Sequence, residues 1–185
     1  MHQEAALPAN SATPVDAHLR AARRLYAPRI GLYAARMNTA EGLDNAGNVL
    51  AADDCPAMRE IVRASLECRG YSVHSVDSGQ AALDAATEVC FDVILLDVEM
   101  PGLDGMAVGR ALRSEPQTAT AAIAMHSSIT EAEVRSGFAG YDAYIPKGAD
   151  LRSLGEQVDR LVRMRRAVSP AQLANVALAR PISPD

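Results

Sequence analysis

No apolar run in this 185-residue sequence approaches the roughly 18 residues that a membrane-spanning helix requires. Residues 1–30 also lack the apolar core of a signal peptide. Cysteine is scarce, and the spacing of Cys55, Cys68 and Cys90 matches no metal site. These absences argue against a membrane protein and against a disulfide-bonded secreted domain. We therefore expect a soluble, cytoplasmic protein with reduced thiols.

Basic residues are fewer than acidic ones, with 18 Lys and Arg residues, 23 Asp and Glu residues and a net charge of −5. The chain as a whole therefore gives no reason to expect direct nucleic-acid binding. The four histidines are scattered, which argues against a zinc site, and His126 is expected in the core or at a strand edge. Apolar residues make up 49% of the chain, which is enough for the core of one ordinary domain with extensions.

Composition divides the chain into three zones. Residues 1–47 are rich in Ala and Arg, and the Thr-Pro pair at Thr13 predicts a helix start in an N-terminal extension that is partly helical or mobile. The sequence leaves open that Met37 is the true start. Residues 48–165 alternate apolar runs with helix-like segments and are expected to form the folded domain. Residues 166–185 are expected to be a tail, too short for a DNA-binding or catalytic output domain.

The middle zone, residues 48–165, contains five apolar, strand-like runs. They lie at residues 48–53, 71–77, 91–97, 122–127 and 143–146. Segments with helical periodicity separate them, so an α/β domain with a parallel sheet is predicted. The run from Val93 stays apolar until Asp97, as expected for a central strand buried on both faces. In such sheets ligands bind beyond the carboxyl ends of the strands, which is where chemistry is expected.

Polar side chains follow most of these runs at their carboxyl ends. They are Asp53, Asp54, Asp97, Ser127 and Lys147. Three crowded carboxylates repel one another unless a cation is present, and Mg²⁺ suits carboxylate oxygens. A carboxylate is also a competent phosphoryl acceptor. The metal, the lysine ammonium and the serine hydroxyl could each hold one phosphoryl oxygen, so the pattern predicts phosphoryl transfer to Asp97.

At this point the middle zone resembles the CheY-like receiver domains of two-component response regulators. The motifs that carry the resemblance are LAADD (50–54), MREIVR (58–63), VILLDVEMPGLDG (93–105), MHSS (125–128) and DAYIPK (142–147). Together they cover residue 48 to about residue 163. The resemblance implies a flavodoxin-like (βα)5 fold, a doubly wound five-stranded parallel sheet with strand order 2-1-3-4-5.

The resemblance also implies a role for each site residue. It assigns metal binding to Asp53, Asp54, Asp97 and the backbone carbonyl of Glu99, catalysis to Asp97, Ser127 and Lys147, and switching to Ser127 and Tyr144. A phosphoryl group of about −1.5 to −2 charge attracts hydrogen-bond donors. The donors that move towards it leave space that an aromatic ring can fill. An ordinary half-buried aromatic is the alternative interpretation of Tyr144.

Two departures from the family pattern affect the site. Gly148 follows Lys147 where receivers usually have a proline in a cis peptide, and glycine's wider φ/ψ freedom is expected to make the turn. Glu99 and Ile129 occupy the positions two residues after Asp97 and Ser127. In the family these positions tune the lifetime of the phosphoryl group, and the direction of their effect here stays open.

The function implied by the resemblance is that of a single-domain response regulator, not an enzyme acting on external substrates. A sensor histidine kinase or histidine phosphotransfer protein would phosphorylate it, and it would bind an unknown target protein through the fourth helix, fifth strand and fifth helix. The sequence leaves a homodimer open. The alternatives are a phosphohydrolase with an aspartyl-phosphate intermediate, in which Glu99 would act as general acid–base, and an unphosphorylated pseudo-receiver scaffold.

Overall fold

The structure is a computed structural model that describes residues 46–167, where five strands alternate with five helices. The elements are β1 (Gly47–Ala52), α1 (Pro56–Glu67), β2 (Tyr71–Val76), α2 (Gly79–Glu88), β3 (Val93–Leu96), α3 (Gly105–Ser114), β4 (Ala122–Ser127), α4 (Glu131–Gly137), β5 (Ala143–Pro146) and α5 (Leu151–Ala167). The predicted N-terminal extension and C-terminal tail lie almost entirely outside the described residues.

The five strands form one parallel sheet in the order β2-β1-β3-β4-β5. This order confirms the predicted flavodoxin-like arrangement. In the pairing register Ala52 lies opposite Leu96, and Leu96 lies opposite Met125. The residues that follow these strands therefore emerge at the same edge of the sheet. The chain leaves β1 and β3 in opposite directions, so the crevice between them is the expected ligand site.

Apolar side chains cover both faces of the sheet, and β3 is buried along its whole length, as predicted. Val93 and Leu95 pack with α1 and α5, whereas Ile94 and Leu96 pack in a second core on the side of α2, α3 and α4. Alternation of side chains along the strand explains this division. A strand enclosed on both faces is a rigid support for the residue that follows it, Asp97.

The helices begin with different caps. The Asp104 carboxylate accepts the Ala107 N–H at the start of α3, and Thr130 forms a capping box with Glu133 at the start of α4. Helix α1 has no such side-chain cap, because Cys55 occupies the N-cap position without a side-chain hydrogen bond. The turn from β1 into α1 must therefore be held by other contacts.

A close approach of backbones fixes the start of α3 beside Asp97. A Cβ atom at Gly105 would lie 1.9 Å from the backbone carbonyl oxygen of Asp97, so only glycine fits there. The Gly105 N–H also donates to the carbonyl of Val98 at 3.1 Å. The loop that carries Asp97 is thus pinned from both ends. Within residues 46–167 no helix is long and apolar enough to cross a membrane.

Candidate functional site

The carboxyl edge of the sheet brings the predicted polar residues together. Asp53 directly follows β1, Asp97 follows β3, Ser127 ends β4 and Lys147 follows β5. Asp53 and Asp97 are only 4% and 1% exposed, and Ser127 is fully buried. Asp54 is exposed at the rim. Two buried carboxylates at one sheet edge need a nearby cation, because a buried charge without a partner is costly.

Lys147 supplies that cation and is the only lysine in the 185-residue chain. Its Nζ lies 2.7 Å from Oδ2 of Asp97 and 2.9 Å from Oδ2 of Asp53. Burial by itself lowers the pKa of Lys147, but hydrogen bonding and attraction to the two carboxylates outweigh burial and raise the pKa above its ordinary value. The ammonium therefore stays charged at neutral pH.

The Asp97 carboxylate has a donor for each oxygen. The Glu99 N–H donates to Oδ1 at 3.2 Å, and Lys147 donates to Oδ2. Burial raises the pKa of Asp97, the hydrogen bond and charge of Lys147 oppose this, and the Asp53 charge raises the pKa further, with a net increase. A carboxylate held at raised pKa by burial and a like charge is a recognised mark of a functional site.

The three aspartates fit a divalent cation. Asp53, Asp54 and Asp97 each offer a carboxylate oxygen, and these oxygens all lie within 4.8 Å of one another. Oδ2 of Asp53 is buried, and the Lys147 ammonium lies 2.9 Å from it. Three carboxylates and one ammonium leave a net charge of −2, which Mg²⁺ would balance with the oxygen donors it prefers. The backbone carbonyl of Glu99 as a fourth ligand stays a prediction.

The turn that carries Asp53 and Asp54 is braced by hydrogen bonds to its backbone. The Cys55 N–H donates to Oδ1 of Asp53 at 2.9 Å. Nη1 of Arg59 donates to the backbone carbonyls of Asp53 and Asp54 at 2.7 and 3.0 Å. Sequence reasoning missed Arg59 as a site residue. Its two acceptors are backbone carbonyls, which leave no pattern in the sequence.

Ser127 and Tyr144 are connected through the backbone of one residue. Ser127 Oγ accepts a hydrogen bond from the Ile129 N–H at 3.3 Å, and the Ile129 carbonyl accepts one from the Tyr144 hydroxyl at 2.5 Å. The Tyr144 ring is half-buried against the core on the α2–α4 side. The two predicted switch residues are therefore connected by hydrogen bonds to the backbone of Ile129, and their switching roles stay a prediction.

The peptide after Lys147 differs from the expectation that glycine's conformational freedom makes the turn. No cis peptide occurs among residues 46–167, and Gly148 is not among their positive-φ glycines. A Cβ atom at Gly148 would meet nothing within 4 Å. The Lys147 N–H instead donates to the Ser127 carbonyl at 2.9 Å. The strand pairing of β5 with β4, continued by this hydrogen bond, positions the lysine, and glycine at 148 is not required.

His126 is a buried titratable group beside the site. It is 4% exposed and precedes Ser127 on β4, which agrees with its expected place in the core. Burial, followed by the positive charge of Lys147, lowers the pKa of His126 to about 4. The imidazole is therefore neutral at physiological pH, and it adds no positive charge to the site.

Comparisons with known proteins agree with this fold. A family model for the response regulator receiver domain matches residues 49–159. The transcriptional activator protein PfeR of Pseudomonas aeruginosa is 38% identical over 119 residues, which are 64% of this chain and 38% of that protein. The chain spans between 15% and 54% of the length of this and the next two curated relatives.

Solved structures give the same family. The chemotaxis response regulator CheY4 of Vibrio cholerae aligns with a TM-score of 0.59 and 30% identity, over 62% of this chain and 97% of CheY4. The response regulator TrrA of Thermotoga maritima, solved in complex with Mg²⁺ and BeF, aligns with a TM-score of 0.57 and 27% identity, over 62% of this chain and 97% of TrrA. With its sheet order, its acidic edge and its lysine, this chain belongs to the response regulator receiver domain family.

Proposed function

We propose that Asp97 of this cytoplasmic chain accepts a phosphoryl group from a phosphohistidine of a sensor histidine kinase or histidine phosphotransfer protein, in a Mg²⁺-dependent reaction. The observation that carries the proposal is the Lys147 ammonium, which lies between Asp97 and Asp53 at 2.7 and 2.9 Å. The chain is then a phosphoryl acceptor in signalling, not an enzyme for external substrates.

The residues divide the work of the transfer. A carboxylate oxygen of Asp97 forms a bond to phosphorus while the P–N bond of the donor breaks, and the electron pair returns to the imidazole. Lys147 and the Ser127 hydroxyl hold charge that develops on the phosphoryl oxygens. Mg²⁺, held by Asp53, Asp54 and Asp97, would neutralise the remaining charge on the transferred group.

Radioactive labelling tests this proposal. Wild-type chain incubated with a phosphorylated histidine kinase or with acetyl phosphate should take up label in Mg²⁺ and lose uptake in excess EDTA. Asp97→Asn should take up none, because the amide oxygen is not a nucleophile of comparable strength. Asp104→Asn, which alters an aspartate that caps α3 but leaves the acceptor intact, is the matched control and should be labelled.

The alternatives give different results in the same assay. Equal labelling of Asp97→Asn and wild type would contradict the proposal. Sustained turnover of small phosphoesters would favour the phosphohydrolase, and wild-type protein that stays unlabelled with every donor would favour the pseudo-receiver scaffold.

The signalling face is proposed to be formed by α4, β5 and α5. Its readout is the chain of contacts from Ser127 through the Ile129 backbone to the Tyr144 hydroxyl. A phosphoryl group at Asp97 draws the Ser127 hydroxyl towards it, which weakens the bond from the Ile129 N–H and changes the position of the loop. A target protein that contacts this face, or a second copy of the chain, would sense the altered loop and ring.

Backbone NMR checks this coupling. Addition of beryllofluoride with Mg²⁺ to wild-type chain should shift the amide signals of Ile129 and Tyr144. In Ser127→Ala these two shifts should largely disappear, because the hydroxyl that is proposed to move towards the phosphoryl group is gone, while the Glu99 amide should still shift. Ser128→Ala, in the exposed neighbour, is the control and should respond as wild type. Full shifts in Ser127→Ala would contradict the coupling.

A further inference from the structure

The turn between β1 and α1 carries two of the proposed metal ligands and has little of the usual support. Its N-cap residue, Cys55, makes no side-chain hydrogen bond, and Pro56 at the first helical position donates no N–H. Asp54 is exposed, so packing does not fix the direction of its carboxylate. The backbone conformation of the turn therefore determines whether Asp53 and Asp54 aim at the same point.

Arg59 is the side chain that holds this backbone. A single nitrogen, Nη1, lies 2.7 Å from the carbonyl oxygen of Asp53 and 3.0 Å from that of Asp54. Both bonds are charge-assisted, which makes them stronger than neutral ones. Together with the bond from the Cys55 N–H to Asp53, they fix the peptide group between the two aspartates and the one that follows Asp54.

The place of Arg59 is otherwise unfavourable. It is the fourth residue of α1, near the positive end of the helix dipole, where a cation is disfavoured. It also brings a positive charge close to three carboxylates that are proposed to bind another cation. Electrostatics alone would make Arg59 weaken Mg²⁺ binding, whereas the carbonyl contacts would strengthen it by pre-organising the ligands. The two roles predict effects of opposite sign.

We infer that Arg59 is a positioning residue, which clamps the backbone carbonyls of Asp53 and Asp54 so that both carboxylates face one Mg²⁺. The inference rests on the proposed function, because it concerns the metal that phosphorylation of Asp97 requires. Arg59 acts through the acid pair and has no hydrogen bond or ion pair to Asp97 among residues 46–167.

An NMR titration of the full chain with MgCl₂, followed at the Glu99 amide, tests the inference. Arg59→Met keeps much of the apolar stem and removes the donors, and it should raise the Kd for Mg²⁺ about 10-fold, as loss of an outer-shell contact does at other metal sites. Arg63→Met, one turn further along α1, is the matched control. Arg63 pairs with Glu60 and Glu67 at the surface, and its loss should leave the Kd within experimental error of wild type.

Kinetics with acetyl phosphate add a second readout. The Mg²⁺ concentration for half-maximal phosphorylation of Arg59→Met should rise with the Kd, while the rate at saturating Mg²⁺ should match wild type, because Arg59 positions the ligands and leaves the acceptor unchanged. The small donor removes any effect of partner docking. Arg59→Lys keeps the charge without the planar set of donors and should bind Mg²⁺ with an affinity between those of Arg59→Met and wild type.

The outcomes separate the two proposals. Failure of wild-type chain to bind Mg²⁺ would overturn the proposed function itself. Binding by wild type with an unchanged or lower Kd in Arg59→Met would overturn the inference alone, a lower Kd meaning that only the charge of Arg59 matters. Should Arg59→Met not fold, Arg59→Lys decides: weaker Mg²⁺ binding than Arg63→Met supports the clamp, and wild-type affinity overturns it.

Discussion

Replacing Lys147 by methionine should lower the free energy of unfolding by about 3 kcal/mol at pH 7 without Mg²⁺, because removal of one partner strands buried charges. The ammonium contacts two carboxylates, Asp53 and Asp97, that are 4% and 1% exposed. The ammonium itself is partly accessible, at 17% of its side chain, so the lower end of the usual range for a stranded buried charge is expected. Urea unfolding followed by circular dichroism measures the loss.

The pH dependence of this loss has a definite sign. Burial already raises the pKa of Asp97 in the folded state, and loss of the lysine removes the contact that opposes the increase. Between the pKa of Asp97 in the unfolded chain and its higher pKa in the folded variant, the folded variant binds more protons than the unfolded chain. The free energy of unfolding of Lys147→Met therefore rises as pH falls from 7 through the folded pKa of Asp97. The difference in unfolding free energy between wild type and Lys147→Met should therefore become smaller at mildly acidic pH. A constant difference in stability across that range would contradict the argument.

Mg²⁺ should replace part of what the lysine contributes. Adding millimolar MgCl₂ to Lys147→Met supplies positive charge to the same carboxylates and binds only the folded state, so the midpoint of unfolding should recover. In the double variant Asp97→Asn/Lys147→Met the loss should be smaller than in Lys147→Met, because one stranded charge is gone. Arg63→Met, which removes a cation from exposed pairs with Glu60 and Glu67, is the control and should cost about 1 kcal/mol or less.

How well the site could be predicted depends on what kind of information each residue carries. Asp53, Asp97, Ser127 and Lys147 follow strands, and parallel pairing brings the ends of strands to one edge whatever the side chains are. The continuous apolar run before Asp97 likewise predicts a central strand by composition alone. These parts of the fold and site are consequences of periodicity, and they could be predicted from the sequence.

Contacts that depend on rotamers and on loop conformation could not be predicted in this way. The two carbonyls that Arg59 contacts are backbone groups, which every residue has, so the sequence contains no pattern for them. The contact of the Tyr144 hydroxyl with the Ile129 carbonyl could not be predicted from the sequence either, because its acceptor is also a backbone group. The expectation that glycine's conformational freedom makes the turn at Gly148 was wrong, because glycine permits a special backbone conformation without requiring one. Its neighbour Lys147 is positioned by strand pairing instead.

Acid should destabilise the protein through His126, with an expected loss of about 3 kcal/mol between pH 7 and pH 4 from this residue alone. Its imidazole is 4% exposed, and burial lowers its pKa to about 4 from an ordinary value of 6.5. Between these two values the unfolded chain binds a proton that the folded chain does not. Stability from this residue is therefore complete above pH 6.5, falls as pH decreases, and is lost by the time the folded pKa is reached.

His126→Leu isolates this contribution, because leucine does not titrate and suits a buried strand position. The difference in unfolding free energy between wild type and variant should change by about 3 kcal/mol in favour of the variant from pH 7 to pH 4, when both are unfolded by urea. Taking the difference between the two proteins cancels the contribution of the carboxylates, which titrate in both.

The charge on His126 also bears on the site. A protonated imidazole would place a second positive charge in the β4–β5 region that already contains the Lys147 ammonium, and the positive charge of Lys147 is one of the causes that lower the pKa of His126. At neutral pH Lys147 therefore carries the charge and His126 stays neutral, which preserves the net charge of −2 that suits a divalent cation. A difference in unfolding free energy between wild type and His126→Leu that stays constant from pH 7 to pH 4 would place the imidazole in a solvated environment and contradict this division of charge.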